Sequence, residues 1–243
     1  MMSPLDRRAF LRWAGRAGLL TTASLFAFPR PTRAQDAAPV SVDCPILTYH
    51  ETWDRARFAA QIQGYLERGY QPVSLQQLAG LLRGEEAPLW GKPFLITFDD
   101  ALSSARDNAL PFLLERQVPA VFCVMPDWRG DRVHRYMTND DYQRIVHDYG
   151  MEVISHTFHH PNLVRERARN YGSWQAQIVD SRYRLEEIVG DGYAVEGFCF
   201  PFGAYDAPTL DLVAKHYAVA LSTRPGTLQR SEERYTLRRT SMT

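Results

Sequence analysis

The segment Phe94–Asp100 places five residues of strand character directly before two adjacent carboxylates. An apolar run of this kind predicts a buried strand, and the carboxyl end of such a strand is where α/β folds build their sites. Neighbouring carboxylates repel each other and favour a proton or a cation. The segment therefore predicts a metal-binding or acid–base site at Asp99 and Asp100. The alternative is a helix N-cap at Asp100, before a helix that starts near Ala101.

Strand and helix patterns alternate along the rest of the chain. Strands are predicted over 45–50, 70–73, 94–98, 120–125, 152–155, 198–200, 218–221 and 234–240. Helices are predicted over 58–69, 74–82, 103–116, 138–149, 174–189 and 209–216, with an interruption at Pro111. This alternation is typical of parallel βα units with right-handed crossovers. It predicts an α/β fold with one domain over residues 45–243.

The N-terminal residues have the composition of an export signal. The first 34 residues hold six Arg and one Asp, including the pair Arg7-Arg8, and a short apolar stretch over 17–28 follows. Small residues end the segment at Ala34, where we expect cleavage. The paired arginines are typical of twin-arginine export, which predicts a periplasmic or surface protein with no stable membrane span after cleavage. Residues 35–44 are predicted to be a flexible leader.

Charge and cysteine content limit the function classes. Without the first 34 residues, the chain has 22 basic and 27 acidic residues, and no basic stripe indicates nucleic-acid binding. The three cysteines, Cys44, Cys123 and Cys199, show no CxxC spacing that would indicate a cysteine zinc site. Cys123 and Cys199 lie in apolar runs and are expected to be buried thiols, although one disulfide is compatible with export.

A second polar cluster follows the predicted strand 152–155. His156 and His160 are four residues apart, which on a helical turn would point both imidazoles the same way. Two imidazoles and one carboxylate from Asp100 would make a three-ligand site with an open position, as in catalytic zinc centres. His159 competes with His160 as the second histidine. Each histidine alone is more often a capping or surface residue.

Three motifs together resemble those of the polysaccharide deacetylases, also called the NodB-homology or carbohydrate esterase 4 family. They are Thr-Phe-Asp-Asp at 97–100, Ser-His-Thr-Phe-His-His-Pro-Asn-Leu at 155–163 and Phe-Cys-Phe-Pro-Phe-Gly at 198–203. The resemblance extends over about 45–239. It implies a distorted (β/α) barrel of about seven strands, with the site at the carboxyl ends of the strands.

The resemblance also implies residue roles. The metal ligands would be Asp100, His156 and His160, the catalytic base would be Asp99, and the backbone N–H of Phe202 would stabilise the oxyanion. The implied reaction is removal of N-acetyl groups from an N-acetylglucosamine-containing polysaccharide. One divalent metal is implied; zinc suits the ligands, and Co²⁺, Ni²⁺ or Fe²⁺ fit the same set.

The chain departs from the family pattern in two places. Cys199 stands where the third motif usually has an Arg that orients the base, and the usual C-terminal Leu-x-His motif is missing. Both departures resemble the branch that includes exported poly-β-1,6-N-acetylglucosamine deacetylases, in which the acid histidine comes from an N-terminal strand. The segment 47–50 matches that element, so His50 is expected to be the general acid; a structural histidine is the alternative. Arg238 or Arg239, with Arg239 favoured, could supply the missing guanidinium.

Alternative functions stay open at this stage. The same site could serve another amide hydrolase with a non-sugar substrate, or a degenerate family member that binds glycan without turnover. Aromatic residues that could stack on sugar rings are Trp53, Trp128, Phe158 and Tyr205, although packing is the commoner role of each.

Overall fold

A computed structural model of the protein describes residues 43–84, 92–128, 135–228 and 234–242. The predicted signal peptide over 1–34 and nearly all of the predicted leader lie outside the described residues, so both stay predictions. Cys44, at the end of that leader, is buried and forms an antiparallel bridge with Leu228. In the part of the chain that the structure describes, no helix is both long and apolar enough to cross a membrane.

The fold is a closed barrel of parallel strands. The strands are β1 (Ile46–Tyr49), β2 (Tyr70–Pro72), β3 (Lys92–Phe98), β4 (Val121–Val124), β5 (Glu152–Ser155), β6 (Gly197–Cys199), β7 (Val219–Pro225) and β8 (Leu237–Ser241). They pair in the order β1-β8-β7-β6-β5-β4-β3-β2, and β1 also pairs with β3, so that seven strands close a ring with β2 outside it. The predicted seven-stranded (β/α) barrel is confirmed, and β8 is the strand that closes it.

Helices surround the barrel. They are α1 (Arg55–Glu67), α2 (Leu75–Leu82), α3 (Leu110–Arg116), α4 (Asn139–His147), α5 (Leu163–Arg169), α6 (Tyr171–Val189) and α7 (Ala207–His216). Ser74 and Thr138 begin α2 and α4 with capping boxes, as their sequence positions predicted. The interruption predicted near Pro111 is a π-helical turn over Ala105–Ala109, after which the proline lies in the first turn of α3, where its missing N–H costs little. The sequence patterns did not predict α5.

Side-chain alternation divides the core into two clusters. On β3, Leu95 belongs to the cluster that fills the barrel, whereas Ile96 and Phe98 belong to the cluster between the barrel and its helices. The inner cluster continues into Leu75 and Leu78 of α2, so this helix covers the amino ends of the strands. All three cysteines are free thiols, and each is buried. The polar residues inside the barrel lie at the carboxyl ends of the strands.

Candidate active site

The alternation of the strands brings Asp99 and Arg239 to the carboxyl end of the barrel interior. On β3, Leu95 and Thr97 point into the barrel, and Asp99 is the next inward position, two residues after Thr97. On β8, Arg239 is likewise the next inward position after Leu237. Asp99 accepts hydrogen bonds from Nη1 and Nη2 of Arg239, at 2.7 and 2.8 Å. Both side chains are about 97% buried. The predicted base and the guanidinium proposed to orient it are therefore in direct contact.

Arg239 is itself held in place by other groups of the barrel. Its Nε donates to the backbone oxygen of Ser222 at 2.7 Å, and its Nη1 also lies 3.3 Å from Oγ1 of Thr97. Burial alone would raise the pKa of Asp99, but the charge and hydrogen bonds of Arg239 outweigh burial and lower it to about 2. Asp99 is consequently a carboxylate throughout the neutral pH range.

Asp100 leaves the path of the strand. Its φ is 65° and that of Ala101 is 52°, so the backbone turns through two left-handed residues immediately after Asp99. This turn points the Asp100 carboxylate at His156 and His160, whose Nε2 atoms lie 3.3 and 3.2 Å from Oδ1. The interpretation of Asp100 as a helix N-cap is wrong, because its carboxylate faces these two imidazoles.

A loop, and not a helical turn, brings His156 and His160 together. Thr157 and His160 have φ of 67° and 51°, and no helix spans this segment. His160 donates its backbone N–H to Oγ1 of Thr157, and Oγ1 accepts at 3.0 Å. The assumption of helical spacing was therefore wrong although the pairing was right. Four residues on a tight loop with two left-handed positions return the chain to the same point.

Buried polar groups fix the orientation of this loop. Nδ1 of His156 lies 2.8 Å from the backbone oxygen of Cys199, which leaves Nε2 directed at Asp100. Oε1 of Gln177, on α6, accepts from the backbone N–H groups of Phe158 and His159. His159 itself is exposed and is not part of the cluster. Of the two candidate histidines, the structure therefore brings His160 to Asp100.

The three side chains fit a small divalent cation. The ligand atoms of Asp100, His156 and His160 all lie within 4.8 Å of one another. Oδ1 of Asp100 is buried and makes no hydrogen bond of normal geometry. Ligands about 2.0–2.1 Å from a tetrahedral zinc ion stand about 3.3 Å apart, close to the two distances from Oδ1. The donor set and its spacing could thus hold zinc or a similar metal.

The electrostatics of this cluster favour positive charge. Burial raises the pKa of Asp100, but the close approach and charge of the His156 and His160 imidazoles lower it well below its usual value. Burial lowers the pKa of His156, whereas Cys199 and Asp100 raise it well above its usual value. The carboxylate therefore stabilises a positive charge at His156, and a bound cation could supply that charge in place of the proton.

His50 and Phe202 lie at the open side of the site. Nε2 of His50 is 3.9 Å from Oδ2 of Asp99, and the imidazole is about half exposed. Phe202 has φ of 58° in the Pro201–Gly203 turn, and its ring centroid lies 4.5 Å from that of His160. A Cβ at Gly203 would come within 1.9 Å of Thr223, so this glycine is required for the turn. The predicted acid and oxyanion residues therefore flank the Asp99 and Asp100 carboxylates.

A family model for polysaccharide deacetylases matches residues 88–220, just over half of the chain. This chain belongs to the polysaccharide deacetylase family. The match includes Asp99, Asp100, His156, His160 and Phe202, whereas His50 and Arg239 lie outside it. The family resemblance of the three motifs is thereby confirmed. The roles predicted for His50 and Arg239 are supported only by their positions in the structure.

Individual relatives agree with this family. The poly-beta-1,6-N-acetyl-D-glucosamine N-deacetylase of Escherichia coli K12 is 40% identical over 62 residues, which are 26% of this chain and 9% of that protein. This match therefore covers less than a tenth of that relative's length. The Streptococcus pyogenes deacetylase PplD, solved with acetate, has a TM-score of 0.73 at 23% identity, over 84% of this chain and 93% of that chain. IcaB from Ammonifex degensii has a TM-score of 0.70 at 22% identity, over 82% of this chain and 91% of that chain. These two structures show the shared fold.

The aromatic residues considered for sugar stacking, together with Phe202, divide into exposed and packed ones. Trp53 and Phe202 are 61% and 66% exposed. Trp128 packs edge-on against Tyr136, and Tyr205 packs against Phe200. Phe158 is partly buried beside His159. Of the four aromatic residues considered for sugar stacking, Trp53 is therefore the one with most of its ring accessible.

Sequence reasoning missed the residues that support the site. Thr97 and Ser222 hold Arg239, and Gln177 and Thr157 hold the histidine loop. The inward alternation of β3 could have identified Thr97, because it lies two residues before Asp99. Gln177 has no comparable signal. It lies on α6, and only the packing of that helix on β5 shows that it reaches the loop.

Proposed function

We propose that this polysaccharide deacetylase is a metal-dependent hydrolase that removes N-acetyl groups from an N-acetylglucosamine-containing polysaccharide. The observation that carries the proposal is the adjacency of two carboxylates in different environments. Asp99 is held as an anion by Arg239, and Asp100 forms a three-ligand set with His156 and His160. The substrate class is supported by the similarity to the poly-beta-1,6-N-acetyl-D-glucosamine N-deacetylase of Escherichia coli.

The residues of the chain would divide the hydrolysis between them. Asp99 would accept a proton from the attacking water. Its low pKa makes it a weak base, so the water must be more acidic than bulk water for the transfer to be efficient. A divalent cation held by Asp100, His156 and His160 would supply that acidity and a Lewis acid for the acetyl carbonyl. Arg239 would keep Asp99 ionised and fix the direction of its oxygens.

The remaining two residues would act on the substrate's amide. The backbone N–H of Phe202 would donate to the oxyanion as the carbonyl becomes tetrahedral. His50, on the solvent side of Asp99, would give a proton to the nitrogen as the C–N bond breaks, so that a free amine and acetate leave. In total one water is consumed; Asp99 releases the proton it accepted to solvent, and His50 takes up a proton from solvent before the next cycle.

The nature of the ligands decides the choice of metal in this proposal. Two imidazoles and one carboxylate are the donor types of catalytic zinc sites. Cobalt, nickel and iron(II) accept the same donors, so metal analysis of the purified protein is part of the test.

The N-terminal pattern supports export by the twin-arginine route to the periplasm or cell surface. Retention of a fusion protein in the cytoplasm after Arg7→Lys and Arg8→Lys would test that location.

Acetate release from N-acetylglucosamine oligomers of β-1,6 and β-1,4 linkage tests the proposed function. We expect acetate release by the wild-type protein, its loss with a chelator, and its return with added zinc. Asp99→Asn should abolish the reaction. Asp148→Asn is the matched control, because Asp148 is exposed at the end of α4 and outside the site.

Two other results would replace this proposal with its alternatives. Binding of the oligomers without acetate release, in a protein that holds its metal, would indicate a glycan-binding member without turnover. Hydrolysis of simple amides together with inertness on every N-acetyl sugar would indicate another amide hydrolase. The fully buried Asp99–Arg239 pair favours turnover, since burying an ion pair is costly and glycan binding alone has no use for it.

A further inference from the structure

Two buried thiols lie beneath the proposed catalytic base. The donor atoms of Asp99, Cys123 and Cys199 all lie within 4.8 Å of one another. Sγ of Cys199 is 3.7 Å from Oδ2 of Asp99. Both cysteines are completely buried and belong to the cluster that fills the barrel. The proposed deacetylation uses neither thiol.

The strand arrangement argues against a disulfide between these cysteines. Cys123 lies on β4 and Cys199 on β6, with β5 between them. Their Cα atoms are separated by two strand spacings, roughly 9 Å, whereas disulfides require less than about 7 Å. The side chains nevertheless converge in the barrel interior. Two sulfurs bound to one tetrahedral zinc-like ion, with bonds of about 2.3 Å, stand about 3.8 Å apart.

We propose that Asp99, Cys123 and Cys199 form a second cation site that binds thiophilic divalent ions and inhibits the enzyme. The ligand types differ from those of the first site, where one carboxylate meets two imidazoles. Thiolate ligands favour softer metals than oxygen and nitrogen ligands do. The thiophilic cation would therefore prefer the cysteine pair, while Asp100 and its histidines keep the hydrolytic metal.

Charge balance is compatible with burial of such an ion. On binding, both thiols would release their protons to solvent, and two thiolates would neutralise a divalent cation. The Asp99 carboxylate is already neutralised by the Arg239 guanidinium, so the buried cluster as a whole stays neutral. A neutral cluster avoids the large cost of an unpaired charge in the protein interior.

Inhibition follows because this cation site would use an oxygen of Asp99, the proposed catalytic base. Oδ2 of Asp99 lies 3.7 Å from Cys199, 2.8 Å from Nη2 of Arg239 and 3.9 Å from Nε2 of His50. A cation bound to this oxygen would occupy the lone pair that accepts the proton and would direct the oxygen toward the barrel interior. Asp99 could then no longer accept a proton from water. This part of the inference depends on the proposed function, but the binding itself does not.

Titration of the zinc-loaded enzyme with Cd²⁺ tests the site. We expect the ultraviolet charge-transfer band of cadmium thiolate to grow with one additional equivalent of Cd²⁺, in step with loss of acetate release. Cys123→Ala and Cys199→Ala should each remove the band. In Cys123→Ala, the Cd²⁺ concentration that halves the variant's own rate should rise by more than about 10-fold, because loss of even an outer-shell partner of a metal costs about 10- to 100-fold in affinity.

Cys44→Ala is the matched control, because Cys44 is also a buried thiol but bridges to Leu228 away from Asp99. This variant should keep the band and the inhibition. Absence of the band in the wild type, its persistence in both Cys123→Ala and Cys199→Ala, or its loss in Cys44→Ala would overturn the proposed site. A band without acetate release under any condition would refute the deacetylase proposal and leave the cation site standing.

Discussion

The two ends of the barrel use carboxylates in opposite ways. At the amino end, Glu152 begins β5 and accepts from the backbone N–H groups of Leu75 and Gln76, at 2.6 and 2.9 Å. It thereby satisfies two N–H groups at the start of α2, which would otherwise have no partner. At the carboxyl end, Asp99 and Asp100 face a guanidinium and two imidazoles, all of them side chains able to take part in chemistry.

The two ends also differ in how often the backbone adopts unfavourable conformations. Among the residues that the structure describes, eight non-glycine residues have positive φ, and five of them belong to the site: Asp100, Ala101, Thr157, His160 and Phe202. Such positions cost about 1–3 kcal/mol each when the residue is not glycine. At the amino end the chain is tightly packed instead, and a Cβ on Gly197 would come within 2.6 Å of Leu75. The amino end stabilises the fold, whereas the carboxyl end holds strained residues that orient the site at a cost in stability.

The largest effect should come from removing a histidine at the carboxyl end. We expect His160→Asn to lower kcat for acetate release by roughly 1,000-fold, because loss of the metal removes several kcal/mol of transition-state stabilisation. Asparagine tolerates the positive φ at this position, so the melting temperature should change little. Metal content and kcat would be measured together. His159→Ala is the control and should keep both; loss of metal in His159→Ala instead would mean that the wrong histidine has been assigned.

The next largest effect should come from the buried ion pair. Arg239→Ala should lower kcat about 100-fold and destabilise the fold by about 3–5 kcal/mol, since it leaves the buried Asp99 carboxylate without its guanidinium partner. Urea unfolding and acetate release measure the two effects. In the double variant Asp99→Asn with Arg239→Ala, the buried charge is gone, so stability should recover while activity stays lost.

That double variant sharpens the comparison between the ends. Recovery of stability without activity would show that the pair serves the chemistry and not the fold. Continued instability would indicate that Arg239 supports the barrel chiefly through its contact with the Ser222 carbonyl. Arg238→Ala, on the neighbouring and more exposed side chain, should leave kcat within about twofold, as surface substitutions usually do.

A carboxylate change at the amino end should affect stability alone. Glu152→Ala leaves the N–H groups of Leu75 and Gln76 without their acceptor and should cost about 1–3 kcal/mol of unfolding free energy. Because the change lies at the opposite end of the barrel, kcat at a temperature well below melting should be unaltered. A drop in kcat beyond about twofold would contradict the division between the ends.

The smallest effect should come from the cap of the helix that covers the amino end. Ser74→Ala removes the side chain that accepts from the Gln77 N–H and should cost about 1 kcal/mol. Comparison of its urea midpoint with that of Glu152→Ala ranks the two contributions at the start of α2. A cost for Ser74→Ala larger than for Glu152→Ala would reverse this ranking and make the local cap the main support of the helix.

Much of the fold and half of the site were readable from local patterns. Most of the strands are short, mainly apolar runs whose side chains alternate between the two faces of the sheet, and this local property depends only on neighbouring residues. The same alternation carries Asp99, His50 and His156 to the end of a strand, so a site at that edge could be predicted. The N-caps Ser74 and Thr138 were predictable because a cap bonds to the N–H three residues away.

Only the tertiary structure decided the contacts that cross the closed barrel. Arg239 and Asp99 are 140 residues apart in sequence, and their bond exists because β8 closes the ring between β7 and β1. The choice of His160 over His159 depends on two left-handed residues that no spacing rule specifies. Cys123 and Cys199 each look like an ordinary buried thiol along the chain, and their approach to Asp99 follows from the curvature of the barrel. Local sequence therefore determined which residues end each strand, whereas long-range closure determined which of those residues meet.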